Sequence, residues 1–472
     1  MRLTKTNFIQ YLRCPKSLWL LLNEPDAYPT GETSAFLQKL IDEGYEVERV
    51  VAKYFAQAQG RTADLQRVFE TSDGLYARAD AFEVNADGQR ILYEIKSSTR
   101  VKTDASHNHL KDACFQIICA ERSGQAIDAV YLVYLNGNYV RAGDVRPEEL
   151  LVFEDVTPRV RAIEADTAVE MDSALALLQQ ADIDRSGCSC LERSRAQHCD
   201  AFAFFNPDLP ALSLYSLPRL RDTARARLLA AGLHDLRLIP DDHGLSAKQA
   251  ALVRSAKAGA PNIDRAGVRR FLDALRFPLY FLDYETYSAA VPFLDGTRPH
   301  RHFVVQYSLH ILRADGALEH REYLEREARL PDRLLDRLVT DLGLQGSVLS
   351  WHASFERTQN TEMARLFPER ADFLDELNRR MVDLEDVFKD AYVDARFGGS
   401  TSIKKVLPVV CPDLSYEALD VQDGAAAMDA WRKMVDSTGE TGDAIAQSLR
   451  GYCRLDTLAM VEIYRFLLGI DP

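Results

Sequence analysis

No apolar run in this 472-residue sequence approaches the roughly 20 residues that a membrane-spanning helix requires, so an integral membrane protein is not expected. The run Leu18-Trp19-Leu20-Leu21-Leu22 is too short for a signal-peptide core, and no small-residue cleavage site follows it. The expectation is a cytoplasmic protein. Positive charge is also short: 57 Lys and Arg stand against 71 Asp and Glu, giving a net charge of −14 and a pI near 5.3. That balance speaks against diffuse electrostatic adhesion to nucleic acid, while leaving room for a local basic cleft. Cysteine is sparse, at eight residues, and in a cytoplasmic chain these are thiols or metal ligands before they are disulfides. Internal repeats and low-complexity tracts are absent. What is present is an ordinary globular composition, 47% hydrophobic and 27% charged, on a length that suits two or three domains with ample core.

Residues 7–22 read as an amphipathic helix pair broken at Cys14-Pro15, and 34–55 as a helix with apolar residues at helical spacing. Strand patterns follow over 74–84 and 90–96, joined by a turn at 85–88, then a helix over 110–123 and an apolar strand over 129–135. This order predicts a small α/β core with a mixed sheet. In Tyr93-Glu94-Ile95-Lys96 strand alternation puts Glu94 and Lys96 on one face and turns Ile95 to the core. A carboxylate beside an ammonium can hold a hard metal ion and position a water. Asp80, on the preceding strand, makes the set hairpin-borne. A bare Glu-x-Lys is also what a solvated strand face looks like; the matching Asp80 is what argues for a site.

The cysteines are unevenly placed. Cys188, Cys190 and Cys199 cluster in a polar loop that an apolar core does not explain, and Cys14 stands near the start. Four thiolates make a stoichiometric set for one tetrahedral zinc or one iron–sulfur cluster, which would staple the two ends of a first domain. Cys114, Cys119, Cys411 and Cys453 lie among apolar residues or in helical patterns and read as small buried hydrophobes.

Residues 206–276 read as a helical connector rich in Leu, Ala and Arg. Its Arg219, Arg221, Arg225 and Arg227 can track a phosphate backbone or simply line a solvated helix face, the blander reading being preferred. Beyond it, an apolar run ends in Asp283-Tyr284-Glu285, two carboxylates at i and i+2 and hence on one strand face. An acid pair terminating so hydrophobic a strand is better explained by metal than by chance. Residues 348–356 run from a strand into a helix that begins with Glu356. Near the end, Tyr452 and Asp456 share one face of a helix running to 467.

Leu12-Arg13-Cys14-Pro15, Asp80, Glu94-Ile95-Lys96, Gln116 and the late cysteine triplet together resemble the RecB-type PD-(D/E)xK nucleases over residues 1–205. More narrowly, they resemble the iron–sulfur subgroup that includes the AddB nuclease domain and the CRISPR-associated exonucleases. The resemblance implies a restriction-endonuclease-like fold and a 4Fe-4S cluster on Cys14, Cys188, Cys190 and Cys199, with zinc the runner-up because the triplet is spaced C-x-C-x8-C. It also implies Mg2+ or Mn2+ on Asp80 and Glu94, with Lys96 and Gln116 as catalytic residues. Ala120 stands where the motif often carries Tyr. Residues 277–472 resemble the DEDDy 3′–5′ exonucleases of the ribonuclease H-like superfamily. That likeness implies a mixed sheet, a metal pair on Asp283, Glu285, Glu356 and Asp456, and a Tyr452 hydroxyl that orients water. Glu356 replaces the usual Asp there, and His352 stands where Asn is common. Lys404 and Lys405 fall on the helix that packs beside the substrate strand in that family. The order of the halves, with Phe205-Asn206-Pro207 and the block 400–407, resembles an uncharacterised bacterial family that fuses such domains.

The expected function is therefore metal-dependent phosphodiester hydrolysis at two sites, on DNA ends or single strands, in repair or phage defence. DNA is favoured over RNA as the partner. The rival readings are an RNA-processing exonuclease and a nucleic-acid-binding scaffold with one or both sites vestigial.

Overall fold

A computed structural model describes residues 2–29, 35–57, 63–104, 107–241 and 243–470. The chain divides into two units, one of Met1–Leu209 with Ala289–His300 and one of Pro210–Ser288 with Arg301–Pro472. Both are mixed α/β, and among the described residues no helix is long and apolar enough to cross a membrane.

The strands of the first unit are β1 (Leu3–Thr4), β2 (Ala63–Glu70), β3 (Leu75–Val84), β4 (Arg90–Ile95), β5 (Ala129–Leu135) and β6 (Leu151–Asp155). They form one mixed sheet in the order β1-β3-β4-β5-β6, with β2 also on β3. Tyr76 pairs with Glu70 of β2 on one side and with Thr4 of β1 on the other, so β1 and β4 share one edge of β3 at different ends. Period-2 alternation buries both faces. Leu92 and Leu132 join a core closed by helices Lys5–Arg13, His109–Arg122 and Glu164–Leu178, whereas Tyr93 and Val133 join Val47, Val51 and Phe55 of helix Ala35–Gln57. The helix expected from 34 thus begins, among the described residues, at Ala35; Ser34 lies outside them. The predicted break at Cys14-Pro15 has a simple cause: Pro15 lacks an N–H and opens helix Pro15–Asn23 at its first position, leaving Cys14 extended between two helices. Residues 289–300 add to this unit. Ala290 and Val291 enter the Tyr93 core, and the Arg141 guanidinium donates to the carbonyls of Pro292 and Phe293 at 3.0 and 2.8 Å.

The second unit holds β7 (Asn262–Ile263), β8 (Leu279–Tyr287), β9 (Phe303–Leu312), β10 (Leu318–Leu324), β11 (Ser347–Ser350), β12 (Met381–Asp383) and β13 (Tyr392–Val393). Its main sheet runs β10-β9-β8-β11-β12; β8 is antiparallel to β9 and parallel to β11, which is parallel to β12. Helix Gly439–Ile470 crosses β8 and β9, while Asp332–Asp341, Ser354–Leu366 and Ala371–Arg380 cover the opposite face. The connector expected over 206–276 does not stand apart. From Pro210 it belongs to this unit, because Leu214, Leu228, Leu236 and Leu252 bury together with Ala395, and β7 pairs with β13.

Candidate active sites and metal centre

The first site sits where β4 parts from β3. The last paired residues are Ala81 and Tyr93; beyond them the Asp80 carboxylate accepts the Ile95 N–H at 2.8 Å. The gap that opens is filled from β1, whose next residue, Lys5, donates to Glu94 Oε1 at 2.6 Å. Glu94 is fully buried. Lys96 reaches the same oxygen at 2.8 Å and also contacts Asp112, while the Gln116 amide donates to Glu94 Oε2. Asp112 and Gln116 share a face of helix His109–Arg122 one turn apart. Burial pushes the Asp80 carboxyl up to about 7, reinforced by the Glu94 charge. Burial acts the same way on Glu94, but the two ammonium groups outweigh it and hold Glu94 below the usual range. Asp80, Glu94, Lys96 and Gln116 therefore meet as the sequence reading has them. Lys5 and Asp112 were missed. Asp112 was findable at i−4 from Gln116; Lys5 arrives through a parallel pairing that no local pattern reveals.

The cysteine set is also brought together. The sulfurs of Cys14, Cys188, Cys190 and Cys199 lie within 4.8 Å of one another, and all four residues are buried free thiols. Trp19, Leu20, Ala201 and Phe205 enclose them. The two chain segments are tied independently: Arg193 donates to the Arg13 carbonyl at 2.7 Å, and Lys16 to that of Gly187 at 2.8 Å. Hydrogen bonding with Cys14 draws the Cys190 thiol down to about 7. Four mutually facing buried sulfurs fit a thiolate-ligated metal centre, and this cluster can bind a metal.

In the second unit Asp283 and Glu285 lie on the central strand β8, opposite Ser308 and Gln306 of β9, with a register shift after Glu285. Glu356 comes from the first turn of Ser354–Leu366, and Asp456 and Tyr452 from Gly439–Ile470. Glu285, Glu356 and Asp456 are buried and Asp283 is partly buried, and the charges of Asp456, Glu285 and Glu356 all act on Asp283. Burial first, then this mutual repulsion, drives Asp283 and Glu285 well above the carboxylate range; burial, with the Asp383 charge adding to it, pushes Glu356 up to about 8. Asp456 rises only to about 6, because Tyr416, Lys404 and Tyr452 offset its burial. Glu356 Oε2 is buried without a hydrogen-bond partner among the described residues. Asp283, Glu285 and Cys453 place ligand atoms within 4.8 Å of one another, a group that does not include Glu356 or Asp456. Carboxylate oxygens of this kind, one of them orphaned on Glu356, are donors of the type a hard cation such as Mg2+ or Mn2+ takes.

Lys404 lies over the rings of Tyr452 and Tyr416, 5.4 and 5.6 Å from their centroids. Lys405, about 100° further round the helix, is exposed. Two contributors escaped the sequence reading. Tyr416 donates to Asp456 Oδ1 at 2.6 Å from an irregular stretch without periodicity. Cys453 is buried, as read, yet its thiol also donates to Asp283 Oδ2 at 3.5 Å. Of the connector arginines, Arg225 is buried and paired with Asp222 at 2.7 Å, which removes it from any backbone-tracking row.

Residues 280–402 match a family described as a domain of unknown function (DUF2779), a span that includes Asp283, Glu285 and Glu356 and stops short of Tyr452 and Asp456. The chain is also 28% identical over 211 residues to a protein of Mycoplasma pneumoniae named "Uncharacterized protein MG366 homolog". That alignment takes in 40% of this chain and 32% of the relative, so the chain spans about a third of the relative's length.

Proposed function

We propose that the chain is a metal-dependent nuclease that hydrolyses phosphodiester bonds, acting on DNA ends or single strands. The observation that carries this reading is the carboxylate set of Asp283, Glu285, Glu356 and Asp456, in which the other three charges act on Asp283, carboxylate oxygens of Asp283 and Glu285 lie within 4.8 Å of one another and Glu356 Oε2 is unpartnered among the described residues. Divalent ions held there would offset the charge of a pentacovalent phosphate and favour an ionised water. The chain's own residues supply the rest. The acids fix the ions, Tyr416 and Tyr452 orient Asp456, the Tyr452 hydroxyl aims the attacking water, and Lys404 adds positive charge beside both rings. Under this reading the second unit is a ribonuclease H-like exonuclease domain of DEDDy type. The first is a PD-(D/E)xK domain stapled by a 4Fe-4S cluster, zinc being the competing occupant, and the protein works in the cytoplasm in DNA repair or phage defence.

The test is cleavage of end-labelled single- and double-stranded DNA and RNA by the full chain in Mn2+, with Asp283→Asn as control. Cleavage lost in the variant is expected; equal rates in both, or none on any substrate, would sink the proposal. The scaffold reading has one observation in its favour, confined to the first site: Lys5, Lys96 and Gln116 already hold Glu94, leaving that carboxylate little need of a metal ion.

A further inference from the structure

A cleft of about 1040 Å3 in the second unit lies outside the carboxylate site. Arg219, Arg221, His352, Glu385, Lys389 and Thr401 are among the residues that line it. Among the described residues only four non-glycines have positive φ; Arg219 at 49° and His352 at 65° both line this cleft. Such conformations cost about 1–3 kcal/mol each and persist where the surroundings dictate them, often at ligand sites. The surroundings here do so. The buried Gln249 amide donates to the Pro218 carbonyl at 2.9 Å, fixing the loop that carries the two arginines. Asp383 Oδ1 accepts the His352 and Glu385 backbone N–H groups at 3.0 and 3.1 Å. His352 Nδ1 sits 3.1 Å from Glu385 Oε2, which leaves Nε2 for a ligand.

The ion pairs of the lining single out the groups left for a ligand. Glu385 and Asp386 each pair with Lys389, at 2.7 and 3.1 Å; Asp390 pairs with Lys248, and Asp394 with Arg396. Arg219 and Arg221 are exposed, and their guanidinium groups have neither an ion pair nor a hydrogen bond among the described residues. One Lys389 ammonium cannot offset both Glu385 and Asp386, so the lining is near neutral overall; what it offers an anion is these two guanidinium groups, each able to grip phosphate oxygens bidentately. A metal ion on His352, Asp383 and Glu385 is disfavoured, since the Lys389 ammonium already lies 2.7 Å from Glu385 and 3.6 Å from Asp383.

Position connects the cleft to the carboxylates. β8, β11 and β12 are parallel; Asp283 and Glu285 stand in the C-terminal half of β8, His352 just after β11, and Asp383 ends β12. Ligands of open α/β sheets gather at this edge. Thr401 in the cleft, whose hydroxyl donates to Glu385 at 2.6 Å, is three residues from Lys404, a span of at most about 11 Å.

We propose that this cleft is a second, non-cleaving subsite that holds backbone phosphates of the nucleic-acid strand whose scissile bond lies at the carboxylates, gripped by Arg219 and Arg221 and backed by His352. The subsite rests on the nuclease reading above. Its test is fluorescence anisotropy of a 5′-fluorescein-labelled 20-nucleotide single-stranded DNA with the full chain, in Ca2+ across a salt series. The double variant Arg219→Gly, Arg221→Gln should bind at least about tenfold more weakly, with a salt slope smaller by roughly two. Because glycine adopts φ near 49° freely, its thermal midpoint should be no lower than the parent's. Should the double variant fail to fold, Arg221→Gln alone, at an exposed unpaired side chain, is expected to weaken binding about threefold and lower the slope by about one. Unchanged affinity and slope would overturn the subsite and leave the nuclease reading to the Mn2+ cleavage assay. A parent that cleaves in Mn2+ without binding the labelled strand also overturns the subsite alone, while a parent that neither binds nor cleaves ends both.

Discussion

The Tyr416 hydroxyl donates to Asp456 Oδ1 at 2.6 Å, and the Tyr416 ring lies 6.2 Å from that of Tyr452, so two tyrosines attend one carboxylate. Their roles separate by chemistry. A hydrogen bond to an ionised group contributes about 1.5–3 kcal/mol, and removing this one makes Asp456 harder to ionise. Tyr416→Phe should therefore raise the Mn2+ concentration giving half-maximal cleavage by roughly tenfold, with the rate restored at saturating Mn2+. A rate that stays low at saturating Mn2+ would instead make Tyr416 the residue that orients water.

The cysteine centre has a compositional readout. Protein purified without oxygen should be brown and hold about four irons per chain, as four thiolates around a 4Fe-4S cluster require. One zinc and no iron under the same conditions would replace that reading with the zinc one. Cys199→Ser should lose metal and solubility together, because ligation closes a loop running from Cys14 to the late triplet. Cys411→Ser should keep the metal, since Cys411 lies outside the cluster.

Where sequence reading worked, the signal was local. Alternation placed Glu94 beside Lys96, a polar loop exposed the cysteine triplet as unlike core, and i,i+4 spacing joined Tyr452 to Asp456. Where it failed, the information was non-local or disguised. Lys5 depends on β1 pairing in parallel with β3, and Tyr416 on a stretch without period. Cys453 looks like any small buried hydrophobe because it is one, apart from its thiol proton. The grouping of residues 289–300 with the first unit follows from burial of Ala290 and Val291, too short an apolar pair to register as an element.

Lys96 and Asp283 fall in separate units, so their activities should separate. Lys96→Ala is expected to remove one nucleolytic activity and leave another that Asp283→Ala removes. If each substitution abolishes cleavage of every substrate, the two sites do not act independently. Retention of all activity in Lys96→Ala would favour the scaffold reading of the first site, where Lys5 also neutralises Glu94.

His310 gives the pH dependence. It is buried with Nδ1 2.8 Å from Thr457 Oγ1, and burial, aided by His320 and Arg454, lowers it to about 3. Its folded pKa thus lies below the unfolded value near 6.5, so the unfolded chain binds the extra proton between the two. Its contribution to stability is complete above about pH 6.5 and is lost as pH falls toward 3. His310→Asn keeps a polar atom near the Nδ1 position without titrating. The gap in thermal midpoint between parent and variant should narrow by several degrees from pH 7.5 to pH 5. Parallel midpoint curves would show that His310 titrates alike in both states.

Tyr452 carries the most specific expectation. Its ring is buried beside Asp456 and under the Lys404 ammonium, and burial, with the charges of Asp456, Glu285 and Asp283, raises its hydroxyl far above the usual range. It stays a neutral donor at any working pH, which suits a group that orients water and does not deprotonate it. Tyr452→Phe keeps the ring, its packing and the cation above it, and removes one hydroxyl. Turnover at the second site should fall roughly 10- to 1,000-fold, the range for deleting one transition-state hydrogen bond. Thermal midpoint should stay close to the parent's; because Tyr452 also supports Asp456, the Mn2+ requirement should rise somewhat, but the loss of turnover should persist at saturating Mn2+. Asp456→Asn, one helical turn on, should mainly weaken metal binding, so excess Mn2+ rescues it in part and leaves the Tyr452→Phe turnover low. A Tyr452→Phe rate within about twofold of the parent, on a substrate whose cleavage needs Asp283, would reduce Tyr452 to a packing aromatic.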